Sequence, residues 1–130
     1  MGRLLLALAL VLTACSRDDS PTASAVISGS YELSTVNDRP LPFSFSNGDR
    51  TLSAERITIV SNNSLDISST ISFESGTPST TVTRFGYVRT SSGLVVASFG
   101  IYSLTITGDS RAIQFIFPSS SGDLRFRYVK

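Results

Sequence analysis

The chain contains no histidine and no tryptophan, and only one cysteine and one methionine among its 130 residues. Without histidine it lacks the usual general base near neutral pH and the commonest zinc and copper ligand. With one cysteine, at position 15, it cannot close an internal disulfide. Serine is abundant, yet no Gly-x-Ser-x-Gly elbow occurs. Among the acids, Asp38, Asp49, Asp109 and Asp123 fall in turn sequences, where Asp side chains bond the nearby backbone. Asp66 and Glu74 fall on the polar side of an alternating run. These absences argue against an enzyme, a metal site and a cofactor. Eleven Lys and Arg against ten Asp and Glu give no basic excess for nucleic acid. Arg125, Arg127 and Lys130 read as one solvated strand face.

Long hydrophobic runs are equally scarce, with one exception. Leu4 to Leu12 is almost unbroken, preceded by Arg3 and followed by Thr13, Ala14 and Cys15. A spanning helix needs about 20 apolar residues, and this run stops well short, with Ser16, Arg17, Asp18 and Asp19 behind it. It has the anatomy of a secretory signal peptide, residues 1–14. Leu12-Thr13-Ala14-Cys15 resembles the bacterial lipobox, in which the cysteine thiol receives a diacylglyceryl group. That resemblance implies a mature protein beginning at Cys15, lipid-anchored in the cell envelope. Ser16 after the cysteine resembles the outer-membrane type if the host is Gram-negative. Acylation would also remove the chain's only free thiol, a liability in an oxidising compartment. Residues 15–25, polar and without period, read as a flexible tether.

From residue 26 to 130 the dominant signal is alternation. Leu65, Ile67, Ile71 and Phe73 share one face, opposite Asp66, Ser68, Thr70, Ser72 and Glu74. The pattern recurs at Ile57/Ile59, Tyr102/Leu104/Ile106, Ile113/Phe115/Phe117 and Leu124/Phe126/Tyr128. Turn sequences separate the runs: Ser61-Asn62-Asn63-Ser64, Gly76-Thr77-Pro78-Ser79, Ser91-Ser92-Gly93, Gly108-Asp109-Ser110 and Pro118 to Gly122. Strands are predicted near 29–36, 54–61, 64–74, 80–89, 94–99, 101–107, 111–117 and 123–129, with a short extra one at 41–45. About eight amphipathic strands in sequence make an all-β, antiparallel up-and-down meander. Closed into a small barrel, it would expose no edges. A two-sheet β-sandwich fits the same pattern.

The segment Gly29-Ser30-Tyr31-Glu32-Leu33-Ser34-Thr35-Val36-Asn37-Asp38-Arg39-Pro40-Leu41-Pro42 resembles the opening of small bacterial lipocalin-like lipoproteins. In that group a Gly-x-Tyr/Trp-x-Leu strand enters a Val-Asn-Gly-x-Pro-Leu-Pro turn; here Asp38 stands in the glycine position. The resemblance implies a barrel and a small apolar ligand, with the membrane as partner through the lipid. The aromatic positions Tyr31, Phe85, Tyr87, Phe115 and Phe126 are the candidates to line its interior. Tyr31 and Leu33 share a face and can equally plug the barrel floor. Glu55 has the parity of Ile57 and Ile59, so it lies at the barrel mouth or points inward to orient a ligand, and Arg84, with the parity of Val82 and Val88, has the same inward alternative. The competing expectation is a structural or interaction lipoprotein with a filled core.

Overall fold

The computed structural model describes residues 27–45, 48–74, 76–100 and 102–130. The signal segment, Cys15 and the tether lie outside them. Among the described residues all regular structure is extended: β1 (Ser30–Val36), β2 (Arg39–Pro40), β3 (Phe43–Ser44), β4 (Arg50–Ile59), β5 (Ser64–Phe73), β6 (Ser79–Gly86), β7 (Val88–Arg89), β8 (Leu94–Phe99), β9 (Tyr102–Gly108), β10 (Ala112–Phe117) and β11 (Leu124–Val129).

Every pairing is antiparallel, in the order β6-β5-β4-β1-β11-β10-β9-β8-β7, with β2 on β1 and β3 on β4. The first and last long strands meet, Leu33 opposite Tyr128 and Val36 opposite Phe126, so the meander curls into a nearly closed barrel. The barrel, and not the sandwich, is what this sequence builds. Residues 80–89, expected as one strand, change partner at Tyr87: β6 pairs β5, and β7 pairs β8. Above that point β6 and β8 part without a ladder, leaving a seam.

Two bulges set which side chains face inward. In β1 the register on β11 skips at Ser34, so Tyr31 and Leu33 are buried at odd positions and Val36 at an even one. In β4 the skip falls at Ser53, burying Leu52 and then Ile57. The latter shift hid the first turn of β4 from an alternation reading, which started the strand at 54. A bulge lengthens one strand against its neighbour and increases local twist, which helps a sheet curl into a barrel.

The core is one continuous cluster drawn from nearly every strand, including Tyr31, Leu33, Ile57, Leu65, Val96, Ile106, Phe115, Phe126 and Tyr128. The turns of an up-and-down barrel gather at its two ends. At one end Ile27, Tyr31, Tyr87, Leu94, Ile106 and Ile113 are all buried and close the floor. Here the Arg89 guanidinium donates to the Ile27 carbonyl at 3.1 and 3.2 Å. The other end carries the β1–β2 turn, β3 and the β10–β11 loop. Phe73, on the apolar side of its run, lies at this rim and is 60% exposed.

The β1–β2 turn shows how Asp is accommodated at position 38. Asn37 and Asp38 have φ of 50° and 63°, and Val36 pairs Arg39 directly across them. That is a two-residue hairpin with both central residues in the left-handed region, where Asn and Asp are tolerated and Gly is unstrained. Asp38→Gly is expected to raise stability by about 0.5–1 kcal/mol, read from the urea midpoint. Asn37 must stay, because its Oδ1 accepts from the Arg125 backbone N–H at 2.7 Å and its own N–H donates to the Arg125 carbonyl at 2.9 Å.

Candidate functional site

The five aromatic candidates divide between two places. Phe115 and Phe126 stack at 4.9 Å with planes 17° apart, and Phe115 also meets Tyr128 at 5.8 Å. Phe85 joins them through Phe99, at 5.1 Å from Phe85 and 6.4 Å from Phe115. Phe99 continues the contact to Phe117 at 5.9 Å, and Phe117 meets Tyr102 edge-on at 5.3 Å. A column of rings thus runs from the barrel centre to its open end. Alternation did not find Phe99, because the β8–β9 register skips between Val96 and Phe99 and changes the phase just before it.

Tyr31 and Tyr87 belong instead to the floor. The Tyr31 hydroxyl donates to the Asp109 carbonyl and accepts from the Ser28 N–H, each at 3.1 Å, while the Lys130 ammonium sits 5.1 Å from its ring centre. The Tyr87 hydroxyl donates to the Ser61 carbonyl at 2.6 Å. Both phenols tie turns to the barrel end. Tyr87 also lines, with Phe85, a second cleft of about 500 Å³ between β6 and β8.

Among the described residues one half-buried carboxyl faces this apolar interior. Glu55 projects inward from β4, where it accepts from the Ser69 hydroxyl at 2.6 Å and from the Tyr128 hydroxyl. Strand parity alone makes Glu55 an inward candidate and is silent on its partners. Ser69 breaks the inward series Leu65, Ile67, Ile71 on β5, and that polar gap opposite Glu55 in the ladder was the available signal. Burial pushes the Glu55 carboxyl pKa up, only partly countered by the two hydroxyl donors. The Tyr128 phenol is pushed well above its ordinary value by its own burial first and by the neighbouring Glu55 second. No buried side-chain nitrogen or oxygen among the described residues lacks a partner.

The raised pKa has a definite consequence for stability. The folded state holds the Glu55 proton more tightly than the unfolded chain does. Its contribution is therefore complete below the unfolded value, about pH 4, and is lost as pH rises through the folded value. Glu55→Gln keeps an acceptor for Tyr128 and removes the titration. Its melting temperature is expected to gain on the wild type as pH rises across that window, whereas equal slopes would place Glu55 in solvent.

Arg84, given the parity of Val82 and Val88, faces outward with them. Val82 and Val88 are more than 60% exposed. Arg84 grips Asp66 with two hydrogen bonds of 2.7 and 2.9 Å, a pairing that lowers the Asp66 pKa. Among the described residues no group of three or more acidic, histidine or cysteine side chains could hold a metal ion.

At the open end the side chains spread. A cleft of about 830 Å³ is lined by Asn37, Arg39, Phe43, Phe45, Arg50, Phe117 and Leu124 together with Ser44 and Ser119 to Ser121. Phe43 and Phe45 meet edge to face at 5.7 Å, and the Arg50 guanidinium lies 4.9 Å above the Phe45 ring. The cleft offers an apolar patch at the outer end of the ring column, with the guanidinium groups of Arg39 and Arg50 among its described lining, the latter 3.9 Å from the Asp49 carboxylate. Comparison with protein-family models, curated proteins and solved structures gives no match.

Proposed function

We propose that this chain is a lipid-anchored protein of the bacterial cell envelope whose lipocalin-like barrel binds a small apolar ligand at its open mouth. The observation that carries the reading is the mouth cleft, which falls within the roughly 300–1,000 Å³ typical of small-molecule sites. It combines a few apolar side chains with polar groups able to orient a ligand. The packed ring column argues for the ligand resting across the mouth, against Phe43, Phe45, Phe117 and Leu124, and not deep inside. Of the aromatic candidates, Phe115 and Phe126 would then form the floor beneath it.

The anchor rests on Leu12-Thr13-Ala14-Cys15 and the short apolar run before it. The described chain begins at Ile27 on the closed floor, so a tether from Cys15 would attach opposite the mouth. Ligand access would then face away from the lipid. Native mass spectrometry of protein purified from its own envelope tests the reading: a retained small molecule, lost on Phe45→Ser, supports it. Protein of bare chain-plus-lipid mass that also fails to bind an apolar fluorophore saturably would overturn it.

A second reading, an interaction lipoprotein without a ligand, is favoured by one observation. The inward aromatic side chains pack on each other from Phe85 to Phe117, as in a barrel filled for stability alone.

A further inference from the structure

Among the described residues the sheet path ends at β6, whose outer edge has no ladder partner and faces β8 across the seam. On its other side β6 is fully paired to β5 over eight residues, from Ser79 opposite Ile71 to Gly86 opposite Ser64, with no bulge. Its residues from Ser79 to Arg84 are exposed, those facing the barrel interior as well as those facing out, because the seam opens beside them. Natural edge strands are ordinarily protected by Lys, Pro, bulges or short length. This one has none of these within Ser79–Thr83. It carries Thr80, Thr81, Val82 and Thr83, a β-branched run suited to a ladder. The charge that follows, Arg84, is held by Asp66 of the neighbouring strand and so is turned away from the free edge.

From these features we infer that β6 is a docking edge for a second copy of this chain, the two β6 strands pairing antiparallel across a two-fold axis. An antiparallel edge is its own complement under a two-fold rotation, since the row of donors and acceptors on one copy meets the same row reversed. The uncharged run brings no like charges together at the axis. Val82, more than 60% exposed on the outer face, would be covered near it. Two nearly closed barrels would then share one continuous sheet, and each would cover the free edge of its β6.

The test is a cysteine scan of the full chain in the membranes that hold it. Thr80→Cys, Thr81→Cys, Val82→Cys and Thr83→Cys are made singly, with Val60→Cys as an exposed control at the opposite end of the barrel wall. Under mild oxidation the scan is expected to give a band at twice the monomer mass at one or more of positions 80–83, with the wild type and Val60→Cys remaining monomeric. Adding Val82→Lys to a crosslinking variant should abolish that band without changing the melting temperature. Monomers throughout, with every introduced thiol still reactive toward a small maleimide, would overturn the inference. So would equal crosslinking at Val60→Cys, which signals collision, or an adduct of another mass, which signals a different partner.

Discussion

Phe115→Ala is expected to cost about 3–5 kcal/mol, the range for removing a buried aromatic ring from a close-packed interior. Phe115 is 4% exposed and touches Phe99, Phe126 and Tyr128, so no neighbour can collapse into its place without leaving another gap. A domain of this size is stable by only about 5–15 kcal/mol, so one ring carries a large share of the total. Urea denaturation at neutral pH measures the loss. Tyr102→Ala, at the exposed end of the same column, should cost far less, because its ring is already partly in water. The variant has a second expected property: the space left by Phe115 is apolar and should stay dry, ready to admit a small aromatic probe that the wild-type interior excludes. A loss below about 1 kcal/mol would mean that the rings do not form a packed column.

Cys15→Ser is expected to move the protein from the membrane fraction to the soluble one. Each buried methylene contributes about 0.8 kcal/mol, so one acyl chain binds reversibly and two or more hold firmly. Among the described residues no helix is long and apolar enough to cross a membrane. The domain's melting temperature should be unchanged, since Cys15 precedes the first described strand, which starts at Ser30. Fractionation with an alkaline wash, together with intact mass, checks both halves. A Cys15→Ser protein that still pellets with membranes would remove the lipid anchor from the account.

Much of the fold could be read in the sequence because strand parity is a strict code wherever a strand is regular. β5, β9, β10 and β11 fall within a residue or two of their expected bounds, and their inward residues Leu65, Ile67, Leu104, Ile106, Ile113, Phe115, Phe126 and Tyr128 are the buried ones. The code fails at bulges. Ser34, Ser53 and the Val96–Phe99 stretch each shift the phase, and no local composition announces them. Partner changes are also silent: Gly86-Tyr87-Val88 looks like the middle of one strand, yet it is where the chain leaves β5 for β8. Only the closure of the whole sheet decides that.

The site was legible in part. Parity placed Phe115 and Phe126 inside, and it also placed Tyr31 and Tyr87 there, but parity cannot tell a plug from a lining. That distinction depends on where the hydroxyls end, on Asp109 and Ser61, residues 78 and 26 positions away in sequence. The Glu55–Tyr128–Ser69 cluster joins three strands, so its members could be suspected singly and assembled only in three dimensions. The mouth cleft draws on β3, the start of β4 and the β10–β11 loop, the regions where alternation is weakest.

The central claim is that a ligand sits at the mouth of a filled barrel, and NMR mapping with a small apolar probe tests it directly. The probe is expected to perturb the resonances of Phe43, Phe45, Phe117 and Leu124 saturably while leaving Glu55, Phe126 and Tyr31 unchanged. Perturbations centred on Glu55 and Phe126, or none that saturate at the mouth, would contradict it.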